Sequence, residues 1–232
     1  GNRIVVRLAM DGEKFETLDG KERTLTSRML TIADGEGTVA IAGVMGGLSS
    51  EVSDKTTDIV LESAYFKPSS IRWTSRRLGL STDSSYRFER GVDVASLEFA
   101  ARRAVDLILE TAGGEVTEPL FKVGTERAWQ NEIRISPNYV RERCGFEISD
   151  DEIRNALESL ELKVDREETD EESGDPVWTV TIPSFRLDLD RPIDLVEEIL
   201  RAYGTDRIPS GEVRGPAIVA EDDPTTEFAR AT

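Results

Sequence analysis

Glu62 follows the apolar pair Val60-Leu61, where a strand would end and present a carboxylate at its rim. A carboxylate so placed can accept a hydrogen bond from a ligand hydroxyl. A site built to bond a hydroxyl rejects the analogue lacking it by factors of about 10⁴ or more. A solvated strand-end carboxylate, or one paired with an arginine, would leave the same trace in sequence. Upstream, Gly43 and Gly46-Gly47 punctuate residues 41–48, and glycines let a ligand approach main-chain N–H donors closely. This stretch has neither the P-loop lysine nor the GxGxxG spacing, and a tight turn between strands is the plainer use of such glycines.

Two further groups could carry chemistry. Arg72, Arg76, Arg77, Arg87 and Arg90 crowd one region of a chain whose net charge is -17. The arginine fork donates two parallel hydrogen bonds to phosphate, although pairing with Asp83 or Glu89 would account for the set equally well. Asp188, Asp194, Glu197 and Glu198 form an acidic group before and along the last predicted helix. If they converge, an all-oxygen set selects Mg²⁺ or Ca²⁺ over zinc. The alternative is solvated charge that favours the helix N-terminus.

The elements that must position these residues follow from pattern. Residues 4–64 read as β-structure, with short β-prone runs at 4–6, 39–41 and 58–61 and Asp-Gly turns at 11–12, 19–20 and 34–35. A helix opens at Pro68 and ends at Gly79; a second starts after Asp93 and stops at Gly113-Gly114. Its buried face is expected to carry Leu97, Ala101, Ala104, Val105, Ile108 and Leu109. After a polar connector come a strand near 133–135 and a helix from Ser136-Pro137 to Gly145. Ser149 with Glu152 then makes a capping box, residues 177–182 alternate as a strand, and a last helix runs from Pro192 to Gly204 with Ile193, Val196, Leu200 and Tyr203 inward. The acidic run 165–175 reads as a solvated hairpin tip. The fold class is α+β: a β-rich unit with packed helices, then a small winged-helix-like unit of three helices and a hairpin. Boundaries are placed at 1–120, a linker at 121–132, a second unit at 133–210 and a trailing linker at 211–232.

Composition narrows the chemistry. There is no histidine, which removes Ser-His-Asp and Cys-His catalysis and the commonest zinc ligand. Cys144 is the only cysteine, so no disulfide framework or thiolate zinc site exists. No apolar run is long enough to span a bilayer, and a cytoplasmic protein is expected. The acidic charge opposes autonomous binding of nucleic acid, so any RNA contact needs a local basic patch.

Taken together, the segments resemble the β subunit of bacterial phenylalanyl-tRNA synthetase. The resemblance rests on Ile4-Val-Val-Arg-Leu-Ala, Thr17-Leu-Asp-Gly20, the long signature from Gly43 to Asp93, Ile182-Pro-Ser-Phe-Arg-Leu-Asp188, Asp194-Leu-Val-Glu-Glu198 and Arg201-Ala-Tyr-Gly204. It implies an editing domain that hydrolyses Tyr-tRNA(Phe), with Gly46 lining the pocket, Glu62 reading the tyrosine hydroxyl, and Thr82 and Ser84 forming the adjoining wall. Ser84 stands where many family members carry alanine. The resemblance also implies ATP-dependent aminoacylation on an α subunit, with ATP used by the holoenzyme and not bound here. It further implies a Mg²⁺ site shared with the α subunit at Asp188, Asp194, Glu197 and Glu198, and tRNA(Phe), the remaining β-subunit domains and an α2β2 tetramer as partners. The family's editing site uses a histidine from a segment before Ile4, so little editing is expected of this chain alone. A non-catalytic nucleic-acid-binding or subunit-docking module is the competing expectation.

Overall fold

The computed structural model describes residues 3–117, 120–124, 131–171 and 173–210. The trailing linker expected at 211–232 and half of the connector expected at 121–132 lie outside the described residues. The chain is α+β, with antiparallel sheets and six α-helices among the described residues.

The first unit is built on a four-stranded sheet of β1 (Val5–Leu8), β4 (Leu30–Ala33), β5 (Thr38–Ile41) and β6 (Met45–Gly46), ordered β1-β4-β5-β6. The hairpin of β2 (Lys14–Glu16) and β3 (Glu22–Thr24) pairs separately, and a single bridge from Thr17 to Gly47 lays its turn along β6. Asp-Gly chemistry explains the turns: Gly12 and Gly20 both have positive φ, as expected of tight reversals. A core of Phe15, Leu25, Met29, Ile41, Val44 and Ile71 fills the space between sheet, hairpin and α1 (Pro68–Leu78). Proline at the start of α1 and Gly79 at its end, with φ 63°, delimit the helix at the positions that composition indicates. The short α2 (Asp83–Phe88) packs on α1, and Phe88 meets Phe66 with ring centroids 5.0 Å apart.

Two expectations for this unit differ from the structure. Residues 58–61 join no ladder, and Ile59, Val60 and Leu61 are exposed. Their β-branched composition favours an extended backbone, but no described strand lies alongside to bond it. The helix α3 (Leu97–Ala112) forms where its periodicity places it, after a 3-10 turn capped by Asp93. Its apolar stripe is only partly covered, however: Ala101 is buried, Leu97, Ala104, Val105 and Ile108 are half-buried, and Leu109 is exposed. Amphipathic spacing determines that a helix has an apolar face, not what will cover it.

The second unit has its own core. Strands β7 (Glu132–Ile135), β9 (Pro176–Thr181) and β8 (Lys163–Thr169) form an antiparallel sheet in the order β7-β9-β8. Helices α4 (Pro137–Cys144), α5 (Asp150–Ser159) and α6 (Pro192–Tyr203) pack on it around Trp178, Ile153, Leu157, Leu195 and Ile199. The Ser149–Glu152 capping box is formed in both directions. Val196, Leu200 and Tyr203 pack on this core, whereas Ile193 is 40% exposed; Leu195 and Ile199 take the central inward positions instead.

Candidate functional site: a cleft at the sheet edge

The turn joining β5 to β6 is closed by a Val44 N–H donation to Ile41 O at 3.0 Å, with Gly43 at φ 64°. A Cβ on Gly43 would meet Phe66 at 2.9 Å and Ile71 at 3.0 Å, so this glycine both makes the turn and admits the segment that follows Glu62. Gly46 and Gly47 do different work. Neither has positive φ; a Cβ on Gly47 would lie 2.7 Å from Phe15 Cζ and 2.9 Å from Val39 O, whereas one on Gly46 would press only on Leu18, at 3.3 Å.

Thr82 joins the two sides of the site. Its Oγ1 donates to Val44 O at 2.7 Å and accepts from Ser85 N at 3.0 Å, while Ser85 Oγ accepts from Thr82 N at 2.9 Å. One hydroxyl thus caps α2 and fastens that helix to the glycine turn. With both roles filled by the protein, Thr82 is a wall and a clamp rather than a reader of ligand. Ser84 is half-buried in the first turn of α2, and its hydroxyl has no hydrogen-bond partner among the described residues.

These pieces enclose an open cleft of about 420 Å³, within the range of small-molecule sites. Gly46, Glu62, Thr82 and Ser84 all line it, together with Leu18 and Phe88. Glu62 as a residue is exposed, yet its carboxyl lies among the cleft walls, and desolvation there raises its pKa above the usual carboxylate range. It makes no hydrogen bond or ion pair with the described residues. A partly desolvated, unpaired carboxylate can accept a hydrogen bond from a ligand, and no hydrogen bond links Ser84 to Asp83 or Glu62 in the lining as a nucleophile would be linked to its base.

Among residues missed in sequence, Leu18 is the most informative. It sits in a turn whose composition reads as plain reversal, and no periodicity marks it.

The arginines sit beyond the cleft. Arg72 donates to Glu89 O at 3.3 Å, linking α1 to the end of α2, and Arg90 pairs with Glu89 at 2.9 Å and lies over the Tyr86 ring. Arg76, Arg77 and Arg87 are exposed and have no ion pair among the described residues. They are free cations on an acidic protein.

Three of the four carboxylates near α6 are paired with arginines. Arg186 forks between Asp188, at 2.7 Å and 3.0 Å, and the buried Glu198, at 2.9 Å; Arg201 adds a second contact to Glu198 at 2.5 Å. Asp194 accepts from Arg191 N at 2.9 Å and the Arg191 side chain at 2.8 Å, so it ties the first turn of α6 back to the N-cap residue Arg191. Glu197 is exposed. Arginine therefore takes the neutralising place that a metal would hold, and the pKa values of Asp188, Asp194 and Glu198 are all lowered by these hydrogen bonds. Among the described residues, no group of three or more His, Cys, Asp or Glu side chains is arranged to hold a metal ion. No helix among them is long and apolar enough to cross a membrane.

Comparison with known proteins gives the geometry a context. Residues 1–113 match the B3/4 domain family model, and residues 133–205 match the tRNA synthetase B5 domain family model. The phenylalanine–tRNA ligase β subunit of Geobacter sulfurreducens is 48% identical over 222 residues, covering 96% of this chain and 27% of that protein. The subunit of the same name from Moorella thermoacetica is 46% identical over 209 residues, covering 90% of this chain and 25% of its own length. That of Protochlamydia amoebophila is 42% identical over 230 residues, covering 99% and 28%. The crystal structure of an N-terminal fragment of the phenylalanyl-tRNA synthetase β subunit from Pyrococcus horikoshii superposes with a TM-score of 0.39 at 18% identity, covering 87% of this chain and 56% of that one, too slight a likeness to assign anything. The chain spans about a quarter of the length of the curated relatives it matches. Two family models in this order, with close relatives of one name along nearly the whole sequence, place the chain in the phenylalanine–tRNA ligase β-subunit family, as its B3/4 and B5 portion.

Proposed function

We propose that the first unit is the editing module of a phenylalanine–tRNA ligase β subunit, in which the cleft at Gly46 and Glu62 receives the aminoacyl group of tyrosine mischarged onto tRNA(Phe). The observation that carries this reading is the unpaired, partly desolvated Glu62 carboxylate in a cleft lined mostly by apolar and small residues, with Asp83 the one other carboxylate in its lining. A tyrosine hydroxyl supplies the donor that this carboxylate lacks. A phenylalanine ring leaves it desolvated and unbonded, at a cost of about 1–3 kcal/mol or more for a charged group. Hydrolysis is then performed by a water held against the ester, in a chain that has no histidine to serve as base. Arg76, Arg77 and Arg87 are the phosphate contacts that carry the RNA toward the cleft, against the repulsion of the acidic surface.

The second unit, on this reading, docks a cytoplasmic α subunit that performs ATP-dependent aminoacylation. The carboxylates of this chain alone do not suit a self-contained magnesium centre, because Arg186, Arg191 and Arg201 already neutralise three of them. Magnesium at this face would need ligands from the α subunit and release of Arg186 from Asp188.

The test is a titration of the protein with tyrosine and with phenylalanine, followed through the amide resonances of residues 40–46. Selective perturbation by tyrosine supports the editing reading. Salt-sensitive binding of tRNA with no preference between the amino acids would instead favour a nucleic-acid-binding module.

A further inference from the structure

Residues 17–21 form a turn that is fastened at every side. Leu18 N donates to Gly46 O at 3.1 Å, Thr17 N donates to Lys21 O at 3.1 Å, and Gly20 N donates to Thr17 O at 2.8 Å. The buried Thr17 hydroxyl bonds Asp19 at 2.5 Å, and Arg23 grips Asp19 at 2.8 Å while donating to Leu78 O at the end of α1. Turn tips ordinarily carry polar or small residues. Here a leucine is held rigidly at the tip, 43% exposed, with its side chain on the cleft. Leu18 also fills the space a side chain at position 46 would need, with Cδ1 3.3 Å and Cγ 3.7 Å from where that Cβ would stand. The glycine therefore makes room for Leu18 as well as for ligand.

We propose that Leu18 is a ring-binding residue of this cleft, packing its isobutyl group against the aromatic ring of the aminoacyl moiety while Glu62 receives the ring's polar end. This rests on the editing reading above. The chemistry divides cleanly: Leu18 recognises a flat apolar body, common to tyrosine and phenylalanine, and Glu62 recognises the hydroxyl that distinguishes them. Apolar contact is roughly proportional to the area removed from water, so Leu18 governs how tightly a ring is held and not which ring is chosen.

The experiment uses the assembled α–β enzyme carrying this sequence in its complete β subunit, and measures deacylation of Tyr-tRNA(Phe) and Phe-tRNA(Phe). Leu18→Ala is expected to raise KM for Tyr-tRNA(Phe) at least fivefold with kcat within twofold, to lower kcat/KM for Phe-tRNA(Phe) by the same factor, and so to leave the preference between them intact. Leu18→Met, which keeps an apolar side chain of similar volume, is expected to stay within twofold of the parent. Leu18→Gln keeps length without apolarity and repeats the KM effect, so the contact is read even if truncation to alanine disturbs folding. Glu62→Ala serves as the arm for the editing reading itself and is expected to collapse the preference. A collapse with Glu62→Ala beside an unchanged KM with Leu18→Ala and Leu18→Gln would overturn the role of Leu18 and leave editing standing. Equal KM increases in Leu18→Met and Leu18→Ala would also overturn it, since the turn's shape rather than an apolar contact would then be at issue. No effect from any variant would remove both claims.

Discussion

Replacing Thr82 with valine keeps the shape of the side chain and removes its hydroxyl, which makes two hydrogen bonds at once. The donation to Val44 O at 2.7 Å is lost, and no other described donor reaches that carbonyl, on a residue only 1% exposed. A buried polar group left without a partner costs about 1–3 kcal/mol. The cap on Ser85 N at 3.0 Å is lost too, and removing an N-cap costs about 0.5–2 kcal/mol. The two losses share one atom and do not simply add, so Thr82→Val is expected to destabilise the first unit by about 2–3 kcal/mol. Thr82→Ser keeps both bonds and is expected to recover most of that. Urea denaturation gives the global change, and native-state amide exchange at Ser85 and Tyr86 gives the local one, because Tyr86 N also bonds Thr82 O. A valine variant within 0.5 kcal/mol of the parent would refute the clamp. So would a serine variant as unstable as the valine one.

Adjacent glycines should behave differently: Gly47→Ala drives a Cβ into Phe15 and the Val39 carbonyl and is expected to cost at least ~2 kcal/mol, whereas Gly46→Ala meets only the side-chain end of Leu18, at 3.3 Å, and should cost under ~1 kcal/mol in thermal unfolding. Glu13 is held at a pKa of about 2 by Arg7, Thr38 and the Met10 N–H, against 4.5 when unfolded. Its contribution is therefore fully present above pH 4.5 and is lost as pH falls toward 2; Glu13→Gln should remove about 1–2 kcal/mol of the parent's acid sensitivity in that window, allowing for solvent screening. Arg186→Met takes one of two arginines from the buried Glu198 and should lower stability by about 2 kcal/mol in denaturant titrations, while Arg191→Met, on an exposed pair, should cost under ~1 kcal/mol.

Helix ends were the most legible part of the chain, because local chemistry determines them. Ser149 with Glu152, Ser136 before Pro137, and the glycines at 79, 113 and 145 mark boundaries through bonds made within a few residues. What resisted reading depended on distant partners. The run 58–61 has strand composition, yet a strand needs a neighbour that no local pattern supplies. The stripe of α3 is amphipathic, but coverage is a tertiary matter. The spacing of the carboxylates near α6 shows nothing of Arg186, whose guanidinium bridges Asp188 and Glu198. The same limit applies within the cleft. Glu62 and the glycines declared themselves by type, whereas the Thr82 clamp needs Val44, 38 residues away, and Leu18 becomes meaningful only once the hairpin turn is bonded to Gly46. The box at Thr82 and Ser85 could have been found from its Thr-Asp-Ser-Ser sequence, although serine is a weaker signal there than glutamate.

The most direct measurement is deacylation of Tyr-tRNA(Phe) against Phe-tRNA(Phe) by the assembled α–β enzyme carrying this sequence, with and without Glu62→Ala. A cleft that selects through its carboxylate predicts a strong preference for the tyrosyl substrate, reduced at least about tenfold in the variant through loss of the charged hydrogen bond. An unchanged preference in the variant would contradict the claim and take Glu62 out of the selecting site.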